Sequence, residues 1–469
     1  TGDLLDHRRP KYDLDYYVKM ARELKGTGCH IIGLKDMAGL CKPAAIKMLV
    51  EAVKAETDLP VHFHTHDTSG IAAASVLAAT EAGVDVIDAA MDSFSGLTSQ
   101  PNLGSIVEAL RDTDRDSGLD PAIIRQFSNY WEFVRKDYLG FESDLRFGAS
   151  EVYLHEMPGG QFTNLKEQAR SMGLEERWHE VAEAYAKVNQ MFGDIVKVTP
   201  SSKVVGDMAL SMVAADLSRA EVEDPNREIS FPDSVVSLFR GDLGQPPGGF
   251  PKALQNKVLK GSQPITGRPG ASVLPADLDA VKAEAEKKVE RRVTNEELQS
   301  YLMYPKVYVD YANHHRQYGP VEVLPTPVFF YGMEPGQETT VDLEKGKTLN
   351  IRCVAMGEVD DEGMVKVFFE LNGQPRSVRI EDKTASATVV SHPKAEKGNA
   401  NHVPVPVPGV VASVAVQKGQ HVTSGDLLVT IEAMKMETPI YTDKDGTIKS
   451  LNVQPGSQVE AKDLLLIFE

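Results

Sequence analysis

Two histidines in the stretch Pro60-Val61-His62-Phe63-His64-Thr65-His66 have the type and spacing of metal ligands. Residues two apart in a strand point to the same face, so His64 and His66 can converge on one ion. His62 has the same parity but lies deeper in the strand, which favours a packed core histidine. The spacing also fits two hydrogen-bonded histidines inside a barrel, and the residues alone leave both interpretations open.

A lysine ends the preceding apolar stretch, His30-Ile31-Ile32-Gly33-Leu34-Lys35. A protonated lysine is a poor partner for a divalent cation, whereas a lysine carbamylated by carbon dioxide presents anionic oxygen ligands. Lys35 could therefore join a metal site in its carbamylated form. Zinc suits imidazole and carboxylate ligands, and manganese is the alternative.

A hydroxyl that could move a proton lies in Val198-Thr199-Pro200-Ser201-Ser202-Lys203. Thr199 precedes a proline and is therefore held away from helical backbone angles. Ser201 or Ser202 can cap the helix that follows, which we predict to run through Val213. On spacing alone, a helix-capping loop accounts for the whole pattern.

Another lysine, Lys435, separates the two halves of an internal repeat near the C-terminus. A shift of 37 positions places 409–432 over 446–469 without a gap and leaves ten positions identical. Two similar strand-rich halves predict a pseudo-twofold β-sandwich or flattened barrel. The segment that joins the halves becomes a tight turn, which presents Lys435 to solvent.

Alternating strands and helices must position the histidines and Lys35. Near-continuous apolar strands separated by helices indicate a parallel sheet, in which polar site residues lie at the carboxyl ends of the strands. Lys35, His64 and His66 follow this rule, and the stretch Asp88 to Asp92 ends the third strand. The predicted strands are 30–35, 60–66 and 84–90, and the predicted helices begin after Asp13, at Pro43, after Asp67 to Ser69 and at Leu103.

Bulk composition restricts the partners of the chain. The net charge of −18 over 469 residues argues against a nucleic acid, because phosphate binding needs a basic surface. No apolar run approaches the roughly 20 residues that span a membrane. The three cysteines are scattered, which excludes a disulfide framework and favours a reducing compartment.

The tetrapeptide Ala433-Met434-Lys435-Met436 and the repeat around it resemble the biotinyl domain of biotin-dependent carboxylases. The resemblance implies covalent biotin on Lys435, flanked by Met434 and Met436. Lipoyl carriers share this fold but usually lack methionines on both sides of the lysine. A carrier of this kind needs an acceptor site, which the rest of the chain should contain.

The stretches 33–39 and 62–70, with Ser93-Phe94-Ser95-Gly96, resemble the carboxyltransferase domain of pyruvate carboxylases. The resemblance implies that Lys35 is N6-carboxylated and binds a divalent metal with His64 and His66. It also places Thr199 at the reaction centre, with Ser202 as a further catalytic and biotin-binding residue and Lys203 as a biotin-binding residue.

The implied fold is multidomain. An α/β TIM-barrel portion with strands six to eight only and a helical funnel precede a mixed β-rich domain and an all-β biotinyl barrel-sandwich domain. The missing first-strand aspartate ligand and substrate-binding residues are expected in an upstream part. The expected segments are barrel 1–115, funnel 116–318, allosteric or tetramerisation region 319–385, linker 386–403 and biotinyl domain 404–469.

The resemblance implies transfer of a carboxyl group from carboxybiotin to pyruvate, giving oxaloacetate. The ATP-using biotin carboxylase domain is expected upstream, so this chain should be inactive alone. The further implied partners are biotin protein ligase and three copies of the same polypeptide in a homotetramer. The expected compartment is the cytoplasm of a bacterium or the mitochondrial matrix of a eukaryote.

Two other functions remain open from the residues. A biotin-dependent decarboxylase or transcarboxylase subunit shares the barrel and the carrier, although the long β-rich third segment favours the carboxylase. A biotinyl or lipoyl carrier without catalytic function predicts that no metal binds. Metal analysis and the presence of an ATP-using domain discriminate between these functions.

Overall fold

The structure is a computed structural model that describes residues 2–7, 10–271, 273–360, 362–382, 393–396, 399, 401–433 and 436–469. The chain forms two compact units, one from 1–271 together with 391–469 and the other from 272–390. Within the described ranges, no helix combines the length and the apolarity that crossing a bilayer requires.

The first part of the larger unit is a parallel three-stranded sheet covered by helices, in the order β1-β2-β3. The buried side chains of Phe63, Ile46 and Leu49 form its core because the strands and the second helix each direct apolar residues inward. The predicted parallel sheet is confirmed, although each strand is shorter than predicted. The elements are α1 (Leu14–Gly26), β1 (Ile32–Lys35), α2 (Pro43–Thr57), β2 (Val61–His64), α3 (Ala72–Glu81), β3 (Val86–Ile87) and α4 (Leu103–Leu110).

Helices follow, and their core contains Tyr185, Phe192 and Phe239. The predicted helix through Val213 is present, but its predicted cap is wrong. Pro200 precedes the helix, while the Ser201 hydroxyl bonds the backbone of the preceding loop instead of the first turn. The elements are α5 (Pro121–Arg135), α6 (Val152–His155), α7 (Gly159–Ser171), α8 (Trp178–Met191), α9 (Ser201–Ala214), α10 (Arg219–Glu223), α11 (Asp233–Arg240) and α12 (Lys252–Leu259).

His155, at the end of α6, is a buried histidine that accepts a hydrogen bond at Nδ1 from the backbone N–H of Met157. Burial lowers its pKa to about 4. Between about pH 6.5 and about pH 4, His155 is therefore protonated in the unfolded chain but neutral in the folded protein. The free energy of unfolding should fall as the pH is lowered through this range. The gap between the two pKa values corresponds to about 3 kcal/mol of unfolding free energy at most.

His155→Gln should therefore flatten the dependence of the urea unfolding midpoint on pH over this range. The fluorescence of Trp178 is a local readout, because its ring contacts Phe162, which stacks on His155. His179→Gln, at an exposed histidine of α8, is the matched control and should leave the profile unchanged. A His155→Gln profile as steep as that of the wild type would contradict this assignment.

In its described residues, the smaller unit contains four helices and a four-stranded antiparallel sheet in the order β4-β5-β6-β7. Asn372 and Gly373 both have positive φ, as a two-residue hairpin turn between the last two strands requires. One expectation differs from the structure, because the helices between 278 and 318, expected in the funnel 116–318, group with this sheet. Val328 to Tyr331 is also helical, although its β-branched and aromatic residues favour a strand. The elements are α13 (Leu278–Val289), α14 (Asn295–Met303), α15 (Pro305–Tyr318), α16 (Thr326–Tyr331), β4 (Glu338–Glu344), β5 (Lys347–Val359), β6 (Met364–Leu371) and β7 (Gln374–Glu381).

The helices between 278 and 318 have a core of their own. Tyr301 and Tyr308 pack edge to face, and Val289 and Leu298 are buried beside them. Because these buried residues belong to one cluster, the helices form a bundle within the smaller unit. The expected funnel, 116–318, did not separate these helices from the ones that precede them.

The C-terminal residues return to the larger unit as two four-stranded sheets, β10-β13-β15-β8 and β12-β11-β9-β14. The repeat is confirmed, because β9, β10 and β11 have β13, β14 and β15 as their counterparts 37 positions later. Gly409 and Gly446 are equivalent, and at both a side chain would collide with the neighbouring strand. The strands are β8 (His402–Pro404), β9 (Gly409–Val414), β10 (His421–Val422), β11 (Leu427–Ala433), β12 (Met436–Tyr441), β13 (Gly446–Leu451), β14 (Gln458–Val459) and β15 (Leu464–Phe468).

The expected linker, 386–403, lies partly outside the described residues. Its described part is attached to the biotinyl-like sheets. Lys394 bridges to Asp463, and His402 and Val403 belong to β8, which pairs with β15. We predicted a free linker over the whole of 386–403, but its described residues 394, 402 and 403 pair with these sheets.

Candidate active site

The carboxyl ends of β1 and β2 bring Lys35 next to His64. The two residues are direct partners in the parallel pairing, so their side chains begin from neighbouring positions. The buried Asp36 fixes the loop after Lys35, because its carboxylate accepts hydrogen bonds from the Leu40 and Cys41 backbone N–H groups and from the Thr65 hydroxyl. The same carboxylate therefore links the loops that follow the two strands.

His64 and His66 converge as their spacing predicts. Their Nε2 atoms lie 3.2 Å apart. The opposite nitrogen of each ring is occupied, since His64 Nδ1 lies 2.6 Å from Asp88 Oδ2 and His66 Nδ1 lies 2.7 Å from the carbonyl oxygen of Thr98. Both acceptors favour a proton on Nδ1, which leaves the lone pair of each Nε2 directed at the other.

The electrostatics keep these rings competent to bind a cation. Burial lowers the pKa of His66, and the neighbouring charges of His64 and Lys35 lower it further. Burial acts to raise the pKa of Asp88, but hydrogen bonds from His62 and His64 outweigh it and hold the pKa below its ordinary value. A neutral imidazole backed by an ionised carboxylate is the form that binds metal.

The pair of rings fits one divalent cation. Ligand bonds of about 2.0–2.1 Å at a tetrahedral angle place two nitrogens roughly 3.3 Å apart. This separation matches the observed distance, and a cation would relieve the repulsion between the facing lone pairs. Among the described residues, no group of three or more histidine, cysteine, aspartate or glutamate side chains could hold a metal. The structure thus supplies two imidazole ligands, and the adjacent Lys35 would qualify as a further ligand once carbamylated.

Three features of this site were missed or misassigned from the sequence. His62 is not a packed core histidine, because 37% of its side chain is exposed and its Nε2 lies 2.8 Å from Asp88 Oδ1. Asp88 bonds two of the three histidines, a role that its position at a strand end suggested only in general terms. Gly159, which begins α7, is also part of the site, since a Cβ there would lie 2.8 Å from His66 Nδ1.

Asp88→Asn should weaken metal binding about 10- to 100-fold, because an amide holds the His64 tautomer less firmly than a carboxylate does. The measurement is the metal content of the purified protein after dialysis against a graded chelator. Asp85→Asn is the control, since Asp85 bonds Lys54 and the Val61 N–H rather than a histidine. Equal metal retention by the two variants would contradict the role of Asp88.

Thr199, Ser202 and Lys203 form a second group, around the beginning of α9. Thr199 lies on the exposed side of the loop, whereas Ser202 is only 3% exposed. The Lys203 ammonium donates to Asp207 Oδ2 at 2.6 Å, so it is held along the helix. The structure thus brings Lys35, His64 and His66 together directly and places the other three predicted residues on α9 and its approach.

A cavity of about 60 Å³ lies between the loop after β1 and the segment that precedes Thr199. Met37 contributes from the strand loop, and Lys197 and Glu156 contribute a buried ion pair of 2.8 Å. The backbone N–H of Gly159 also donates to the Met37 carbonyl oxygen, which ties α7 to that loop. The cavity is thus lined by chain segments that follow Lys35 and precede Thr199 in the sequence. The lining residues are Gly2, Asp3, Tyr12, Tyr17, Met37, Glu156, Ile195, Val196 and Lys197.

The predicted carrier residues Met434 and Lys435 lie outside the described residues. Their flanks are described: β11 ends at Ala433, β12 begins at Met436, and these two residues are paired across the hairpin. The described strands on either side of this pair are therefore antiparallel neighbours in one sheet.

Three family profiles match consecutive parts of the chain. A profile described as HMGL-like matches 7–130, a conserved carboxylase domain matches 152–352, and a profile for biotin-requiring enzymes matches 401–468. Pyruvate carboxylase of Bacillus subtilis (strain 168) is 48% identical over 469 residues, covering 100% of this chain and 41% of the relative. Mitochondrial pyruvate carboxylase of Homo sapiens is 44% identical, covering 100% and 40%.

Solved structures are similar over the same regions. The complete multifunctional pyruvate carboxylase from Rhizobium etli aligns with a TM-score of 0.75 and 62% identity, covering 100% of this chain and 43% of that chain. The carboxyl transferase domain of the same enzyme, solved with pyruvate and biocytin, aligns with a TM-score of 0.77 and 65% identity, covering 82% and 64%. The chain spans about two fifths of the length of the curated relatives it matches.

Proposed function

We propose, from the premise that this chain corresponds along its whole length to the C-terminal part of pyruvate carboxylases, that it transfers a carboxyl group from biotin to pyruvate. The product is oxaloacetate. The observation that carries the proposal is the pair of Nε2 atoms 3.2 Å apart beside Lys35, in a chain that also carries the biotinyl repeat. A carrier lysine and an acceptor site for its cargo thus occur in one polypeptide.

The remaining parts of the reaction are proposed to lie upstream. In this proposal the three parallel strands are strands six to eight of a TIM barrel, and the other strands cover the free edges of β1 and β3. The upstream part also supplies the aspartate ligand, further substrate-binding residues and the biotin carboxylase domain that uses ATP. The complete polypeptide is proposed to form a homotetramer in the bacterial cytoplasm or the mitochondrial matrix.

The metal-binding residues are proposed to be N6-carboxylated Lys35, His64 and His66, with zinc or manganese as the ion. When bound, the divalent cation acts as a Lewis acid that polarises the site, and biotin brings the carboxyl group. Asp88 and the Thr98 carbonyl orient the two rings toward the ion. Burial lowers the pKa of His66, which favours the neutral form of the ring that can bind the ion.

Thr199 is proposed to relay a proton from the methyl group of pyruvate to the biotin nitrogen. A threonine hydroxyl is too weak an acid to act as a lone base, so it serves as a relay held between a donor and an acceptor. Its exposed place at the start of α9 lets substrate groups approach it. Ser202 and Lys203, on the first turn of the same helix, are proposed to bind biotin, which biotin protein ligase attaches to Lys435 between Met434 and Met436.

The two alternative functions are distinguished from the proposed one by the source of the carboxyl group that labels biotin. The proposed carboxylase incorporates labelled bicarbonate into protein-bound biotin only when ATP is present, and it passes the label to pyruvate. A decarboxylase or transcarboxylase subunit labels its biotin from a carboxylated substrate but not from bicarbonate and ATP. A non-catalytic carrier shows neither reaction and binds no metal. The experiment is run on the full-length polypeptide, and labelling from bicarbonate that does not need ATP, or no labelling from bicarbonate when ATP is present, would overturn the proposal.

A further inference from the structure

Asp207, on α9, is a fully buried carboxylate that the proposed reaction does not use. Its Oδ2 accepts hydrogen bonds from Lys203 Nζ at 2.6 Å and from the Ser234 hydroxyl at 2.7 Å. Its Oδ1 is buried and has no hydrogen-bond partner in the described part of the chain. A buried charge with one oxygen unsatisfied is costly, so this carboxylate depends strongly on the two contacts it makes.

Lys203 is the cationic end of this arrangement. An ammonium has three N–H donors, of which one is directed at Asp207, and 40% of the Lys203 side chain is exposed. The flexible stem of a lysine does not hold the ammonium in one direction by itself. Asp207 supplies that direction, since it lies one helical turn away and is itself immobilised by burial.

Ser234 is the other end, and it connects Asp207 to the biotinyl domain. Ser234 is the second residue of α11, which packs against β12. Burial raises the pKa of the adjacent Asp233, and the charge of Glu437 on β12 raises it further. Near the same strand, Lys260 Nζ lies 5.1 Å from the centre of the Tyr441 ring. The biotinyl domain therefore contacts α11, the helix whose first turn contains the Ser234 hydroxyl that donates to Asp207.

We propose that Asp207 is a positioning residue that couples the seating of the biotinyl domain on α11 to the direction of the Lys203 ammonium. The inference rests on the proposed function, in which Lys203 binds biotin. Contact with β12 fixes the position of α11. The hydrogen bond from Ser234 on α11 then fixes the Asp207 carboxylate, which in turn orients the Lys203 ammonium. Free biotin needs the last of these contacts only, whereas biotin carried on Lys435 needs all of them.

The test uses the full-length holoenzyme and the decarboxylation of oxaloacetate with free biotin as a soluble acceptor. Asp207→Asn should raise the KM for free biotin about tenfold or more, because a charge-assisted hydrogen bond to Lys203 is lost. The KM for oxaloacetate should stay within about twofold of the wild-type value, which a general structural defect would not permit. Asp207→Glu, which retains the charge, should restore part of the loss.

Ser234→Ala supplies the second measurement. It should slow overall turnover with tethered biotin about tenfold and leave the KM for free biotin unchanged. Asp242→Asn is the matched control, because Asp242 accepts a similar bond from Ser237 on α11 but does not contact Lys203 in the described structure. Its kinetics should equal those of the wild type.

The outcomes separate this inference from the proposed function. Loss of all activities together with a lower unfolding temperature in Asp207→Asn would show a structural role and overturn the inference. Wild-type kinetics in Asp207→Asn would also overturn it while the proposed function stands. A wild-type holoenzyme that shows no biotin-dependent reaction would overturn both.

Discussion

Lys435→Arg in the full-length polypeptide should abolish biotin incorporation and with it all overall formation of oxaloacetate. The guanidinium keeps the positive charge but cannot form the amide bond to the biotin carboxyl group. The transfer site itself stays intact, so decarboxylation of oxaloacetate with free biotin should persist.

Lys449→Arg is the matched control for this change, since Lys449 lies on β13, in the other half of the repeat. That variant should incorporate biotin and turn over like the wild type. The measurements are mass spectrometry of the tryptic peptide that contains 435 and the rate of oxaloacetate formation. Biotin found on the Lys435→Arg protein would mean that another lysine is the carrier.

Thr199→Ala should lower the rate of carboxyl transfer about 10²- to 10⁴-fold, the usual contribution of a positioned proton-transfer group. Charging of biotin by ATP and bicarbonate should be unaffected, because we propose that this reaction takes place on an upstream domain of the full-length polypeptide. Thr199 is exposed in the loop before α9, so loss of its hydroxyl should not disturb the helix. The measurement compares the two half-reactions in the same preparation.

Thr199→Ser, which retains a hydroxyl, should recover most of the rate. Thr163→Ala is a control on the neighbouring helix α7, where the hydroxyl only donates to the Gly160 carbonyl oxygen. Near-normal oxaloacetate formation by Thr199→Ala would exclude Thr199 as the proton relay. Equal loss of charging and transfer would indicate a general defect rather than a chemical role.

Local pattern was sufficient to predict the elements that carry the site. Alternation within the strands placed His64 and His66 on one face, and the structure brings their Nε2 atoms together. The 37-residue repeat predicted a pseudo-twofold pair of strand sets, and the two four-stranded sheets confirm it. The first prediction depends on the two-residue period of a strand, and the second depends on identical residues 37 positions apart, so the sequence alone contains both.

Contacts between distant residues were not predictable in the same way. The Asp88 carboxylate bonds His62 and His64, 26 and 24 positions earlier, and nothing in the local pattern selects it over Asp92. The Lys203 ammonium and Ser234 meet on Asp207 because α9 and α11 pack together. Side chains that bond across elements depend on tertiary packing, and the sequence indicates only that they are polar.

The stretch Val328-Phe329-Phe330-Tyr331 illustrates a different limit. Its β-branched and aromatic residues favour a strand by intrinsic preference, but the structure has the helix Thr326–Tyr331 there. Pro325 and Pro327 precede the apolar residues, and proline is compatible with the first turn of a helix. Gly332, with φ of 72°, then ends the helix after one and a half turns. Local start and stop signals therefore overrode propensity.

The most direct test of the account is a single-turnover transfer in the full-length holoenzyme. The protein-bound biotin is first charged with labelled bicarbonate and ATP, free substrates are removed, and pyruvate is added. The label should leave the protein upon addition of pyruvate and appear in oxaloacetate. Label that stays on the protein, or that leaves at the same rate without pyruvate, would contradict the proposal that Lys435 delivers its cargo to the site at Lys35, His64 and His66.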